Sequence, residues 1–296
     1  MPTNASLTLL GKTILITGAS SGIGRSCAQE FARTCPQDLK LILTARRLDR
    51  LHALAGEITA EVGSGVKIHV ARLDVAKPAD VRALWADLPQ GFKDVDVLVN
   101  NAGFMSGYER APHIPHGIIE DVWATNVTGW IGMTQEFLRV ARGREGGARG
   151  DVVMIGSMAG REAYAGGSVY CASKAAIRSF TDALRRELVA TRVRVITVDP
   201  GQVLTEFTLI RNRGDEASAD KVYESGCVCM QQEGECGGGR LVGLSDLPGI
   251  GPRHTSQIMK PTLSNIPAAP SKAPKTHGYR RANPTMARTI ENLPFK

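Results

Sequence analysis

The sequence has no uninterrupted apolar stretch approaching the ~18 residues that a membrane span requires, which excludes a transmembrane helix as its organising element. Met1 to Thr8 lack the basic start and apolar core of a secretory signal. Cysteine is scarce: six residues, Cys27, Cys35, Cys171, Cys227, Cys229 and Cys236, show no pairing pattern. A disulfide scaffold is thereby excluded, and a reducing compartment is expected, cytoplasmic with the nucleus as a second location. The C-x-C-x6-C spacing of the last three cysteines, with no nearby histidine before His254, is not a structural zinc pattern, so no metal site is expected. Acids are scarce at one end only. From Pro252 to Lys296 there are eight Lys or Arg and one acid, Glu291, which accounts for the whole net charge of +7. The remainder is electrically balanced, so the chain is not a generally basic domain.

What is present is ordinary globular composition, 43% apolar and 22% charged, at a length of 296 residues that fits one large α/β domain or two small ones. From residue 12 to 198, short Val/Ile/Leu-rich runs alternate with helix-length segments. The expected strands are Thr13–Thr17, Leu39–Thr44, Lys67–Ala71, Val95–Val99, Val152–Ile155 and Val193–Val198. The expected helices are Gly22–Thr34, Asp49–Val62, Ala79–Leu88, Val127–Arg142 and Ser168–Ala190. Strands apolar throughout suit burial on both faces, and the alternation predicts a Rossmann-type doubly wound parallel sheet.

The first strand runs into Thr17-Gly18-Ala19-Ser20-Ser21-Gly22-Ile23-Gly24. Glycines in a strand-to-helix turn allow a tight bend, close backbone approach to a pyrophosphate and close helix–strand packing. The helix that follows offers its positive end to phosphate. A glycine-rich turn alone is weak evidence, but its place after the first buried strand points to a dinucleotide. The second strand ends in Arg46-Arg47, 22 and 23 residues past Gly24, where an NAD-type site puts an acid. Two guanidinium groups instead suit a 2′-phosphate, which selects NADP(H).

Tyr170 and Lys174 stand four residues apart on an expected helix and share one face. A phenol is a poor base at neutral pH, and a neighbouring ammonium is expected to lower its pKa and make it a usable acid/base. No other tyrosine in the chain has Lys four residues on. Ser157 follows the fifth strand, where residues face the ligand crevice, and its hydroxyl can bond a substrate oxygen. Asn100-Asn101-Ala102-Gly103 ends the fourth strand and Asn126 opens a helix, positions where asparagine commonly has a structural role.

Taken together, Thr17–Gly24, Leu73-Asp74-Val75, Asn100–Gly103, Asn126, Ser157, Tyr170-x-x-x-Lys174 and Pro200-Gly201-x-x-x-Thr205 resemble the short-chain dehydrogenase/reductase signature from about Gly11 to Glu224. The resemblance implies an oxidoreductase with catalytic Ser157, Tyr170, Lys174 and Asn126, the last holding a relay water. It implies cofactor contacts from Gly18, Ser20, Ser21, Gly22, Ile23, Gly24, Arg46, Arg47, Asp74, Val75, Asn101, Ala102, Gly103, Pro200, Gly201, Val203 and Thr205, with Lys174 also on the nicotinamide ribose. It further implies a homo-oligomer, tetrameric in the family. Lys40–Leu48, Ala159–Tyr164, Val169–Lys174, Thr205–Phe207 and Ile210–Glu216 resemble the NADP-dependent 3-hydroxy acid (serine) dehydrogenases. The implied substrate is a small 3-hydroxy acid such as serine or 3-hydroxyisobutyrate, with a simple alcohol or ketone as the broader alternative. Arg211 is a candidate carboxylate partner, against the plainer reading of a solvated loop arginine.

The family continues with a further helix and a last strand, and that strand is not legible after Glu224. The expected organisation is a catalytic domain over 1–224 and a glycine- and cysteine-rich segment passing into a disordered, basic, proline-rich tail over 225–296. One sheet edge is then expected to be unpaired. Leu244–Arg253 resembles the hairpin of a helix-hairpin-helix motif, giving a second, minor reading as a nucleic-acid-binding protein with salt-dependent attraction.

Overall fold

A computed structural model describes residues 8–224. The expected tail, the Cys227–Cys236 cluster and the Leu244–Arg253 hairpin lie outside the described residues.

Six parallel strands, β1 (Thr13–Thr17), β2 (Leu39–Ala45), β3 (Val66–Arg72), β4 (Val97–Asn100), β5 (Arg149–Ile155) and β6 (Arg192–Val198), form one sheet in the order β3-β2-β1-β4-β5-β6. The helices are α1 (Gly22–Thr34), α2 (Leu48–Val62), α3 (Pro78–Asp87), α4 (His116–Trp123), α5 (Gly129–Arg142), α6 (Ser168–Glu187), α7 (Glu206–Arg211) and α8 (Glu216–Glu224). Every residue of β1 is buried, because helices cover both sheet faces and leave no polar side to the strand. In α1, Gly24, Ala28, Phe31 and Ala32 recur at helical spacing and are the residues it buries. Pro78 opens α3, where its missing N–H costs no bond and its φ already suits the helix. The strand order reverses between β1 and β4, since β1 pairs with β2 on one side and β4 on the other. Ligand crevices open at the C-terminal ends of strands flanking such a reversal.

The fold expectation holds, and most boundaries move by one to three residues. The expected helix Val127–Arg142 begins inside a single π-helical turn, Ala124–Thr128, and continues as α5 to Arg142; α4, just before that turn, lies outside the expectation. α4 is only eight residues long and buries only Val122, so its periodicity is too brief to read. The short helices α7 and α8 likewise lie outside the expectation. Among the described residues β6 pairs only with β5, so its outer edge has no partner strand there.

Candidate active site

The glycine turn is held shut from the neighbouring strand. Thr17 Oγ1 donates to the Val99 carbonyl (3.2 Å) and accepts from the Asn101 N–H (2.9 Å). Asn101 Nδ2 donates back to the carbonyls of Thr17 (2.9 Å) and Gly18 (3.2 Å). A Cβ at Gly24 would lie 2.4 Å from Asn101 Nδ2 and 2.6 Å from the Gly18 carbonyl, so the close packing of α1 on β1 requires glycine there. Gly18 has φ +67° and its Cβ would lie 2.8 Å from Ala102 Cα, which also rules out a side chain. Ala102 is fixed by Trp130, whose indole N–H donates to its carbonyl (2.6 Å). Gly103 is exposed at the crevice, Ile23 packs against the core and Ser20 is buried.

Along the rest of the crevice, Arg46 and Arg47 stand at the end of β2, the first exposed and the second half-buried. Arg47 Nη2 donates to Ser20 Oγ (3.1 Å) and Ser21 Oγ (3.0 Å). Asp74 follows β3 and accepts from the Ala76 N–H, and Val75 is buried where a Cβ on Gly129 would lie 2.7 Å from its carbonyl. After β6, the Pro200 carbonyl accepts from the Met158 N–H (3.0 Å) and Gly201 is exposed. Val203 is half-buried, and Thr205 caps α7 by accepting from the Phe207 N–H (3.3 Å). These positions, scattered over the sequence, all follow the C-terminal ends of sheet strands β1, β2, β3, β4 and β6.

The reacting groups meet at the end of β5. Ser157 accepts from the Ala159 N–H (3.1 Å), and its hydroxyl bonds the Tyr170 phenol. Lys174 is almost fully buried; its Nζ donates to the Ile155 carbonyl (2.9 Å) and lies 4.3 Å over the Trp130 ring. Asn126, also buried, accepts from the Phe104 N–H (2.8 Å) and donates to the Phe104 carbonyl (2.9 Å) and Ser173 Oγ (3.2 Å). Ser173 Oγ in turn donates to the Tyr170 carbonyl (2.7 Å). The π-helical turn carrying Asn126 is thus tied to the helix that carries the tyrosine.

The expected electrostatics are corrected. The helical spacing predicts that Lys174 lowers Tyr170. Burial instead pushes the Tyr170 pKa up to about 12, against the opposing effects of the Ser157 hydrogen bond and the Arg211 charge. Lys174 is itself lowered to about 7 by burial, with Asp199 pulling the other way. Spacing brings both side chains to one face, but Nζ turns to the Ile155 carbonyl and Trp130, 5.8 Å from the Tyr170 ring centroid. In this environment desolvation outweighs the lysine's field.

Arg211 is buried at the end of α7 and is not a solvated loop residue. It donates to the carbonyls of Gly107 (3.3 Å) and Gly166 (2.9 Å) and to the Tyr164 hydroxyl (2.5 Å), and its guanidinium lies 3.9 Å from the Tyr108 ring centroid. It has no carboxylate partner among the described residues. A cleft of about 310 Å³ opens beside it, lined by Gly107, Tyr108, Glu109, Arg211, Asn212 and Arg213. The Phe207 ring lies 5.5 Å from the Tyr170 ring, tilted at 49° to it. Sequence reasoning did not find Tyr108, Trp130, Phe207 or Asp199; none carries a local pattern, and each acts through a partner far along the chain.

A glycine-turn dinucleotide groove with Ser, Tyr and Lys at the end of β5 defines an oxidoreductase of the doubly wound α/β class. The chain belongs to the short chain dehydrogenase family, whose model matches residues 12–215. It is 42% identical over 73% of its length, and 80% of the relative's, to an NADP-dependent 3-hydroxy acid dehydrogenase of Schizosaccharomyces pombe. It is 40% identical to sulfoacetaldehyde reductase 2 of Chromohalobacter salexigens over 71% of this chain and 80% of that one. Among solved structures, a serine dehydrogenase in closed form complexed with NADP+ superimposes with a TM-score of 0.66, at 36% identity over 74% of this chain and 84% of that one.

Proposed function

We propose that this chain is an NADP(H)-dependent oxidoreductase that interconverts a small 3-hydroxy acid and its carbonyl counterpart, with residues 1–224 as the catalytic unit. The observation that carries the substrate class is Arg211, a buried guanidinium without a carboxylate partner among the described residues, whose charge reaches Tyr170. A buried charge is costly unless it is paired, so an anionic substrate group completes this site. The names of the relatives agree: two act on hydroxy acids and one on a sulfonate-bearing aldehyde, all with an anion near the reacting carbon.

The residues present fit the cofactor. Glycines 18 and 24 let the turn close tightly on Asn101 and Ala102 at the start of α1, α1 has no acid in its first turn, and β2 ends in two arginines with no acid. Ser20, Ser21, Gly22 and Ile23 would meet the pyrophosphate, Arg46 and Arg47 the 2′-phosphate, and Asp74 and Val75 the adenine. Asn101 to Gly103 and Pro200 to Thr205 would line the nicotinamide half. When bound, the nicotinamide supplies or accepts the hydride. Ser157 donates a hydrogen bond to the substrate oxygen. Tyr170, kept protonated at neutral pH by burial, delivers its proton to that oxygen in reduction and recovers it in oxidation. Lys174 holds the nicotinamide ribose and, when charged, favours the phenolate. Asn126 supports the proton relay by fixing Phe104 and, through Ser173, the turn of α6 that carries Tyr170.

The working form is a homo-oligomer, tetrameric as in the family, in the cytoplasm; the free thiols Cys27, Cys35 and Cys171 suit a reducing compartment. Nicotinamide absorbance with NADP+ and serine or 3-hydroxyisobutyrate tests the reading. Turnover that Tyr170→Phe abolishes is expected. Equal turnover on a hydroxy acid and on its carboxyl-free alcohol would remove the substrate assignment.

A further inference from the structure

Glu206, the first residue of α7, reaches back across the chain to the end of β2. Its Oε2 accepts from Arg47 Nη1 (3.0 Å), and its Oε1 accepts from Arg50 in the first turn of α2. Burial alone would raise this carboxyl, but the hydrogen bonds from Arg50 and Arg47 hold it below the usual carboxylate range, so it is ionised at neutral pH. Arg47 uses its other nitrogen on the Ser20 and Ser21 hydroxyls of the glycine turn. The neighbours of Glu206 complete the closure. A Cβ on Gly22 would lie 3.2 Å from Thr205 Cβ, and the Phe207 ring lies tilted against Tyr170. The first turn of α7 therefore spans from the glycine turn to the reacting phenol, anchored by one carboxylate on two guanidinium groups.

An acid is the wrong charge for a place that takes a 2′-phosphate, since two anions on adjacent guanidinium groups repel. A phosphate dianion carries more charge and three acceptor oxygens, and a guanidinium pairs with it bidentately. We propose that Glu206 tempers the selectivity for NADP(H): it is an internal anion on Arg47 and Arg50 that a 2′-phosphate must displace and an unphosphorylated ribose leaves in place. This rests on the NADP(H) reading and extends it. Displacement also releases the first turn of α7 and with it Phe207, so the phosphate at one end of the cofactor governs the cover over Tyr170 at the other.

The test uses the full chain and binding alone. NADPH and NADH are titrated by nicotinamide fluorescence at low ionic strength, and 2′,5′-ADP and 5′-AMP by calorimetry, for wild type, Glu206→Gln and Arg47→Met. Circular dichroism confirms that each variant is folded. Glu206→Gln is expected to tighten NADPH and 2′,5′-ADP by roughly two- to fivefold, the scale of a half-exposed ion pair, with NADH and 5′-AMP changed less than twofold. The gain shrinks at high salt, where exposed pairs are screened. NADPH affinity that is unchanged or weaker in Glu206→Gln overturns the proposal, because Glu206 would then only orient the arginines. If wild type binds NADH as tightly as NADPH and Arg47→Met leaves that ratio alone, the NADP(H) reading itself falls, and this selectivity role with it.

Discussion

Replacing Lys174 with Met is expected to stabilise the cofactor-free protein at mildly acidic pH while removing its activity. Burial lowers the Lys174 ammonium from 10.5 to about 7, whereas the unfolded chain holds that proton to its ordinary value. Between these values the unfolded state binds more protons, so the lysine's contribution to stability rises with pH; below about 7 both states are charged and the folded state carries the full desolvation cost. At about 1.4 kcal/mol per pKa unit the span is on the order of 5 kcal/mol. The variant loses the hydrogen bond to the Ile155 carbonyl, worth about 1 kcal/mol, and the contact with Trp130. Lys174→Met would therefore exceed wild type in stability by a few kcal/mol at about pH 6, lose about 2 kcal/mol of that advantage by about pH 8.5 and lose the rest as the pH approaches about 10. Urea unfolding followed by circular dichroism at half-unit pH steps reads the difference. His69, itself lowered by burial, titrates in both proteins and cancels. Parallel pH profiles, or a variant less stable than wild type at the acidic end, would refute the reasoning.

Four further outcomes are expected. Tyr170→Phe should abolish turnover while leaving NADPH affinity within about threefold, since one phenol hydroxyl contributes on the order of 1 kcal/mol; fluorescence titration beside the rate assay checks this. Because Tyr170 is raised to about 12 in the free protein, carbonyl reduction should hold through neutral pH and oxidation should rise with pH, seen by assaying both directions from about pH 6 to 9. Gly24→Ala should cost about 2 kcal/mol or more and abolish dinucleotide binding, because its Cβ meets backbone at 2.6 Å; chemical melts and titration report both. Arg211→Gln should raise KM for a 3-hydroxy acid about 10- to 100-fold, the scale of a charged hydrogen-bonded pair, and leave KM for the carboxyl-free alcohol nearly unchanged.

Much of this molecule was legible because it is local. Strands buried on both faces must be apolar throughout, so β1, β2 and β5 announce themselves. The glycine turn and the Tyr170–Lys174 pair are fixed by spacing within one turn or one helix. Paired arginines at the end of β2 were visible for the same reason. Helix α4 was not, because eight residues with one buried side chain carry no readable period. Protonation was not legible either. Lys174 is acidic because Trp130, Ile155 and the covering helices remove water from it, and that depends on every element packed there. Nor could local pattern show that Arg211 closes onto Gly107, 104 positions away, or that Glu206 reaches Arg47 across 159. The sequence by itself determined the sheet, the turn and the identity of the reacting groups, through neighbours in the chain. Only the tertiary structure decided which charges lose their solvent and which meet one another, because burial and Coulomb energy depend on distances in space.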